Sequence, residues 1–196
     1  MSLKMSTMPP LGIAAIPFEL PNAEGKVCRL EELMGPHGTL ITFLCQHCPF
    51  VNLIVDKLSE IAAIYKDRGI TTVAINSNDA AQHSEDSFEN MRAYAQKHGF
   101  SFEYLRDESQ SIARGYQAAC TPDFFLYDRE LRLAYRGQFD DSRPKNNVPV
   151  SGRDLIEAME QVLAGGTVLY QKQSIGCNIK WKTGNEPEYY LTGSVR

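Results

Sequence analysis

The sequence has little excess charge of either sign and no long hydrophobic run near its start. Its 196 residues include 20 basic and 24 acidic side chains, for a net charge of -4. Proteins that bind phosphate backbones or anionic lipid surfaces carry a basic excess that is missing here. The longest early apolar run, 11–16, is too short for a signal-peptide core or a membrane-spanning helix. We therefore expect no nucleic acid and no membrane partner, and a location in the cytoplasm.

Cysteine is scarce and unevenly distributed. Five cysteines are an odd number in a chain without a secretion signal, which argues against a disulfide-stapled scaffold. Only Cys45 and Cys48 are closely spaced. In a reducing compartment, such a pair is typical of a catalytic or metal-binding site rather than a structural disulfide.

The length and composition favour one domain with appendages. Hydrophobic residues make up 43% of the chain, enough to form a full core. We predict a domain over 11–166, preceded over 1–10 by a flexible N terminus or a tag remnant. The remaining residues, 167–196, form a C-terminal tail that contains Trp181 and the pair Tyr189 and Tyr190. A tail this rich in aromatics is expected to pack on the domain.

Apolar periodicity predicts an α/β fold with a central mixed sheet flanked by helices. The predicted elements are a hairpin over 15–20 and 26–30, strands over 39–44, 70–75 and 102–105, helices over 49–69, 86–98, 109–118 and 154–164, and a second hairpin over 124–127 and 131–135. Ser84 or Asp86 is the predicted cap of the second helix, and Ser151 of the last. The polar segment 138–149 is predicted to be a loop.

The cysteine pair lies where a predicted strand meets a predicted helix that begins at Pro49. This is the edge at which α/β sheets hold their ligands. A separation of three residues places the two α-carbons about 5 Å apart, within the range that a disulfide accepts. Cys45 precedes the helix, so the helix dipole favours its thiolate, and His47 adds a stabilising imidazole. We therefore predict an accessible, low-pKa Cys45 and a shielded Cys48 of higher pKa.

A second cluster of interest is Cys120, Thr121 and Pro122, directly before the predicted strand 124–127. The Thr-Pro step is consistent either with a simple strand boundary or with a cis-proline. Cys120 is either an auxiliary thiol near the site or a buried small hydrophobic residue.

Several motifs together resemble the thioredoxin superfamily, and within it the peroxiredoxin-like redoxin branch of the AhpC/TSA type. They are CQHCPFV at 45–51, AINSND at 74–79, ACTPDFFLYD at 119–128, DDSRP at 140–144 and SIGCNIKWKTGNEPEYY at 174–190. The resemblance implies a thioredoxin-like fold with an N-terminal β-hairpin and a C-terminal extension. It also implies that Cys45 attacks, that Cys48 resolves, that Pro122 is a cis-proline facing the pair, and that Thr121 offers backbone hydrogen bonds to a substrate strand.

The motif departs from the thioredoxin pattern at three places. Leu44 stands where thioredoxins have tryptophan, and Gln46 and His47 inside the pair are closer to the protein disulfide isomerase pattern. The predicted strand 39–44 lacks the buried acid that helps thioredoxins to deprotonate the second thiol. Resolution by Cys48 is therefore expected either to be slow or to be assisted by another group.

The motif departs from authentic peroxiredoxins as well. Their Pro-x-x-x-Thr-x-x-Cys pattern is matched at Thr42 and Cys45, but Gly38 occupies the proline position. Thr42 also falls within a predicted strand. Both points weaken the prediction of a peroxide pocket.

We predict a thiol:disulfide oxidoreductase that exchanges Cys45 and Cys48 between dithiol and disulfide. Its substrates are protein or small-molecule disulfides, and its electron donor is a thiol reductant such as a thioredoxin or glutathione system. No organic cofactor and no metal is required. The alternatives are a thiol peroxidase, in which Cys45 becomes a sulfenic acid that condenses with Cys48, and a redox-sensing or metal-carrying module.

A metal site is weakly supported. No second Cys-x-x-Cys or matching histidine pair completes four zinc ligands, and a copper(I) site on Cys45 and Cys48 has no further support.

Other polar and sulfur-containing side chains receive no firm role. Cys28 is expected to be an inert strand residue, and Cys177 either packs the tail or acts as a resolving thiol. The side chains of Asp140, Asp141 and Arg143 form either a polar site or a solvated loop. The isolated histidines, to which no role is assigned, are His37, His83 and His98.

Overall fold

A five-stranded mixed sheet forms the centre of the computed structural model, which describes residues 2–192. Its strands, in spatial order, are β6 (Glu103–Arg106), β5 (Ile70–Asn76), β4 (Gly38–Phe43), β8 (Asp123–Asp128) and β9 (Leu133–Gly137). The first three run parallel to one another, whereas β8 is antiparallel to both β4 and β9. This architecture confirms the predicted central mixed sheet.

The remaining strands form two smaller sheets. The predicted N-terminal hairpin is present, but it is limited to β2 (Glu19–Pro21) and β3 (Val27–Arg29). A three-stranded sheet joins distant parts of the chain, with β10 (Ile175–Asn178) between β1 (Leu3–Met5) and β7 (Cys120–Thr121).

Helices cover both faces of the central sheet. They are α1 (Leu30–Leu33), α2 (Pro49–Asp67), α3 (Phe88–Lys97), α4 (Ser111–Gly115), α5 (Arg153–Leu163) and α6 (Glu188–Thr192). Among the helices of residues 2–192, none combines the length and the apolar character needed to cross a membrane.

The strand β4 is buried on both faces, as its apolar and β-branched sequence predicts. Leu40 packs in the core that contains α2 and α5, whereas Ile41 and Phe43 face the second core beneath α4 and the tail. Because β4 packs between these two hydrophobic cores, its carboxyl end and the cysteine motif that follows are fixed in position.

The long helix α2 begins at Pro49, as predicted. Proline suits this first position because its missing N–H has no helical partner there. Its apolar face, which includes Val51, Val55 and Leu58, is fully buried against the sheet. The chain leaves the helix through Gly69, whose φ of +86° suits glycine.

The helix α3 begins later than predicted. Its cap is Ser87, whose Oγ accepts a hydrogen bond from the backbone N–H of Asn90 at 3.3 Å. The predicted cap residues lie in a preceding 3-10 turn, Ser84–Asp86, and Asp86 is turned into the protein. Its carboxylate is occupied by asparagine side chains at the end of β5, so it is not available as a helix cap.

Part of the segment 1–10, predicted to be a flexible N terminus or a tag remnant, pairs with the tail. Leu3–Met5 forms β1 on the edge of β10, and Ser6 continues the contact by donating from its backbone N–H to Ser174 O at 2.9 Å. The reason is that β10, a strand of the tail, offers an edge of unpaired backbone groups. Met1 and the end of the predicted tail, 193–196, lie outside the described residues.

The loop over 138–149 is buried around Asp140 and solvent-exposed over 145–149. Asp140 is buried, and its carboxylate accepts hydrogen bonds from Ser142 and from the backbone N–H of Gly152, which precedes α5. Arg143 turns back to the Asp140 carbonyl oxygen at 2.7 Å, and exposed Asp141 pairs with Arg153 at 3.1 Å. These charges stabilise the loop and the start of the helix.

We expect Gly176→Ala to destabilise the pairing of β10 with β7. A Cβ at this position would lie 2.1 Å from Thr121 O, and backbone cannot yield as a side chain does. We expect the free energy of unfolding, measured with denaturant, to fall by about 1 to 3 kcal/mol, and amide exchange in β10 to become faster. Gly166→Ala is the matched control because its nearest neighbour lies at 3.4 Å. Equal stabilities for the two variants would contradict the close approach.

Candidate active site

The two closely spaced cysteines lie together at the carboxyl end of β4. Cys45 follows the strand, and Cys48 is the residue before the first turn of α2. Their thiols are close enough to influence the pKa values of one another. Cys45 Sγ lies 3.2 Å from Thr121 Oγ1, and Cys48 Sγ lies 3.0 Å from Thr121 O. Two sulfurs and the residue before Pro122 therefore form one contact cluster.

The predicted accessibility of Cys45 is wrong, because both cysteines are 0% exposed. Burial, the hydrogen bond to Cys48 and the charge of Asp86 raise the pKa of Cys45 well above its usual value. Burial also opposes ionisation of Cys48, but hydrogen bonds from Cys177 and Cys45 and the backbone N–H of Val51 outweigh it and lower the pKa of Cys48. The order of the two pKa values is thus the reverse of the prediction.

The position of the helix explains this reversal. Since α2 begins only at Pro49, its N terminus acts on Cys48, which is adjacent, rather than on Cys45, three residues earlier. The acidic neighbour that disfavours a thiolate at Cys45 comes from a distant part of the chain.

The peptide bond between Thr121 and Pro122 is cis, as the resemblance predicts. However, the backbone of Thr121 is not open to a substrate strand. Thr121 is paired with Cys177, and Cys120 with Asn178, in the antiparallel ladder between β7 and β10. The tail of the chain itself occupies the edge that was predicted to bind substrate.

Asp86 is the residue of this site that sequence reasoning missed. Its buried carboxylate accepts hydrogen bonds from Asn78 Nδ2 at 2.9 Å, Asn76 Nδ2 at 3.1 Å and the backbone N–H of Gln46 at 3.2 Å. His47 Nδ1 lies 2.9 Å from its second oxygen. Burial opposes its charge, but His47, Asn78 and Gln46 together keep the pKa of Asp86 below its usual value. A fixed negative charge therefore lies beside the cysteine pair.

One sequence signal could have indicated this arrangement. The AINSND motif places Asn76 and Asn78 at the carboxyl end of β5, which is parallel to β4. Parallel neighbouring strands end at the same sheet edge, so polar groups at 76–79 and the cysteines at 45–48 must lie near each other. Asp86 could not be placed near the cysteine pair in this way, because it is about 40 positions away in sequence and follows the end of β5 by ten residues.

Cys45, His47 and Asp86 each bring one ligand-type atom within 4.8 Å of the others, the one such cluster with metal-ligand character found in residues 2–192. The same three kinds of group, a nucleophile, an imidazole and a carboxylate, serve for proton removal in nucleophilic catalysis. The cluster therefore has the groups that proton transfer needs as well as those that a metal ion could use.

The imidazole of His47 has a second neighbour. His83, to which sequence analysis gave no role, stacks on it with ring centroids 5.2 Å apart and planes within 15°. This stacking holds the ring in place, while Nε2 of His47 is buried without a hydrogen-bond partner among the described residues. That nitrogen is available to exchange a proton.

A cavity borders the residue that follows Cys45. It has a volume of about 330 Å³ and is lined by Gln46 and Tyr94, and the nearby His47 side chain keeps 15% of its surface exposed. Neither cysteine lines this cavity, and both are fully buried. The thiol of Cys48 is also influenced by Cys177 of β10, which favours its thiolate.

Two other cysteines have no contact that would bring them into this chemistry. Cys120 is fully buried, burial raises its pKa, and its Sγ turns to the Pro122 carbonyl at 3.5 Å. It is a buried residue of the core, one of the two alternatives that the sequence left open. Cys28 lies in the second core with Leu20 and Leu30, which agrees with an inert role.

A second buried acid lies directly after the cis-proline. The carboxylate of Asp123 accepts hydrogen bonds from Ser6 Oγ at 2.7 Å and the backbone N–H of Ala119 at 3.2 Å. Burial raises the pKa of Asp123 to about 7. Its carbonyl oxygen accepts the hydroxyl of Thr42 at 3.0 Å, so the hydroxyl proposed for peroxide binding is already engaged.

A sequence model of the AhpC/TSA family matches residues 11–136, which include the cysteine pair, Asp86 and the cis-proline. The chain belongs to the AhpC/TSA family. This result confirms the resemblance to the redoxin branch of the thioredoxin superfamily.

Solved structures of other proteins are similar to this AhpC/TSA chain. An uncharacterized conserved protein from Geobacillus kaustophilus is 49% identical, with a TM-score of 0.91 over 93% of this chain and 97% of that one. A secreted disulfide oxidoreductase from Mycobacterium tuberculosis, 20% identical, has a TM-score of 0.56 over 73% of this chain and 94% of its own, and shows the thioredoxin-like fold.

A curated relative carries a functional name. The thiol-disulfide oxidoreductase ResA of Halalkalibacterium halodurans is 24% identical over 115 residues, which are 59% of this AhpC/TSA chain. The match spans 61% of the length of that relative.

We expect Asp123→Asn to remove a pH-dependent loss of stability. The folded protein holds the Asp123 proton to about pH 7, whereas the unfolded chain releases it near 3.8, so the wild type loses stability as the pH rises between these values. The loss has an upper limit of about 4 kcal/mol. Unfolding free energies of both proteins across this range test it, and parallel pH curves would show that Asp123 does not titrate abnormally.

We expect Asp86→Asn to lower the pKa of Cys45, because the charge of Asp86 is one cause of its increase. The titration of the Cys45 Cβ carbon, followed by NMR, measures this pKa directly. Glu85→Gln is the control, since this neighbouring acid is exposed and outside the cluster. An unchanged Cys45 pKa in Asp86→Asn would rule out the electrostatic coupling.

Proposed function

We propose that this AhpC/TSA protein catalyses thiol-disulfide exchange with Cys45 and Cys48 as its redox couple. The observation that carries the proposal is that both sulfurs contact Thr121, at 3.2 Å from Cys45 Sγ to Thr121 Oγ1 and 3.0 Å from Cys48 Sγ to Thr121 O, directly beside the cis Thr121–Pro122 bond. The name of the ResA relative supports the same chemistry. The substrates are protein or small-molecule disulfides, and a thiol reductant of the thioredoxin or glutathione type supplies electrons.

Cys45 is the attacking thiol in this proposal. His47, oriented by Asp86, accepts the Cys45 proton, and the resulting thiolate attacks one sulfur of a substrate disulfide. The substrate S–S bond breaks as a mixed disulfide with Cys45 forms. Cys48 then attacks Cys45 Sγ, which releases the second substrate sulfur as a thiol and closes the Cys45–Cys48 disulfide.

The surroundings of the two sulfurs suit these different tasks. Cys48 is enclosed and its thiolate is favoured, so it is ready for an intramolecular attack but not for contact with a substrate. Cys45 is also fully buried, although its chain neighbour Gln46 lines a cavity together with Tyr94, so a substrate disulfide reaches Cys45 only when the site opens. A protein substrate that pairs with Thr121 must first displace β10.

A thiol peroxidase is the second candidate, favoured by the family match and by burial that admits only small molecules to Cys45. Against it, the Thr42 hydroxyl is bound to Asp123 O rather than directed at the thiol. Rates of hydrogen peroxide consumption and insulin disulfide reduction, measured with the same purified protein, discriminate between the two activities.

The cytoplasmic location stays a prediction from the composition, because a reducing compartment keeps dispersed cysteines as thiols. Fractionation of source cells with an antibody to the protein measures it.

We expect Cys48→Ser to accumulate mixed disulfides with substrate and Cys45→Ser to accumulate none. Without Cys48, nothing resolves the bond between Cys45 and substrate. Non-reducing electrophoresis after incubation with oxidised insulin gives the readout, and Cys120→Ser, a buried thiol outside the pair, is the control. Trapping by Cys45→Ser alone would reverse the two roles, and trapping by neither would exclude the redox couple.

A further inference from the structure

The tail strand β10 makes an unusually close contact with the cis-proline segment. Cys177 is opposite Thr121 in the ladder, and its neighbour Gly176 lies so near that a Cβ there would be 2.1 Å from Thr121 O. On its other edge, β10 pairs with β1 through Cys177 and Leu3. At Cys177, β10 is therefore paired with a neighbouring strand on each of its two edges. It lies beyond the segment that the family model matches, which ends at residue 136.

Cys177 brings a third sulfur to the redox couple. Its side chain is buried and lies on the same face of the ladder as that of Thr121, since the two residues are directly opposite. Thr121 O lies 3.0 Å from Cys48 Sγ and Thr121 Oγ1 lies 3.2 Å from Cys45 Sγ, and interaction with Cys177 favours the thiolate of Cys48. Cys48 is thus the middle sulfur, with one thiol on each side. Thiol-disulfide exchange needs an attacking sulfur in contact with the sulfur that is attacked, and Cys177 meets this requirement at Cys48.

The fourth nearby cysteine does not share this geometry. Cys120 belongs to β7, the strand next to β10, but its Sγ faces the Pro122 carbonyl oxygen. The side chain of Ser174 is its other polar neighbour. The structure therefore distinguishes Cys177 from a cysteine of equal burial only one strand away.

We propose that Cys177 is a third redox-active thiol, which takes over the disulfide from the Cys45–Cys48 couple as a Cys48–Cys177 bond. This inference rests on the proposed function, which supplies the oxidised couple. Cys177 attacks Cys48 Sγ, the Cys45–Cys48 bond breaks, and the Cys48–Cys177 bond forms. Cys45 leaves as a thiolate and receives the proton that Cys177 gives up, so the exchange involves no net oxidation or reduction.

The exchange has two consequences for the site. Cys45 returns as a thiol while the disulfide is stored between Cys48 and the tail strand β10. The tail becomes covalently joined to the start of α2, so β10 cannot leave Thr121 until a reductant acts on the Cys48–Cys177 bond. A protein substrate is excluded from that edge during this state.

Peptide mapping tests the proposal on the full chain. The protein is equilibrated in a buffer of reduced and oxidised glutathione, quenched in acid, alkylated and digested with trypsin. The cleavage sites leave Cys45 and Cys48 together on peptide 30–57 and Cys177 on peptide 173–180. We expect a cross-link between these two peptides, with Cys48 in the bond and Cys45 alkylated.

Two variants complete the experiment. The cross-link is expected to be lost in Cys177→Ser, where peptide 30–57 carries an internal Cys45–Cys48 disulfide instead, and to be unchanged in Cys120→Ser. If the wild type shows only the internal disulfide with Cys177 fully alkylated, the inference is overturned while the proposed function stands. If neither Cys45 nor Cys48 enters an intramolecular disulfide, both are overturned.

Discussion

The cluster of three sulfurs around Thr121 depends on one strand pairing. β10 lies against Cys120–Thr121 and brings Cys177 to Cys48, while the N terminus of α2 adjoins the same sulfur. Burial raises the pKa of a thiol, and at Cys48 it is outweighed by Cys177 of the tail, Cys45, Thr121 and the backbone N–H of Val51 in the helix. Removing that strand would expose Thr121 and change the proton balance of the whole couple.

The distribution of charge around the couple is unequal, and that gives each sulfur a different task. Asp86 holds its negative charge because the asparagines of β5, His47 and Gln46 donate to it. The same charge keeps the proton on Cys45. A carboxylate beside an imidazole can orient the ring and stabilise its protonated form when it takes a proton. The strand before the cysteines, β4, contains no acidic residue. Asp86, in the segment after β5, supplies the buried carboxylate beside the cysteine pair instead.

Much of the fold could be predicted from sequence because the relevant forces are local. The apolar run at 39–44 is buried on both faces, Pro49 begins its helix, and Gly69 follows its end. The cis Thr121–Pro122 bond could be predicted only through resemblance to a family. The cap of α3 was misplaced because Asp86, a good cap residue in isolation, has stronger partners at the end of a distant strand.

The sequence by itself determined the α/β architecture, the cysteine spacing and the membership in a redox family. Apolar periodicity and turn residues act over a few neighbours, so they can be read along the chain. The tertiary structure decided the exposure of Cys45, the order of the two thiol pKa values and the occupation of the Thr121 edge. These properties depend on groups 40 to 130 positions away, such as Asp86 and Cys177, whose contacts exist only once the sheet has formed. Electrostatic energies depend on distance in space, and spacing in sequence does not fix it.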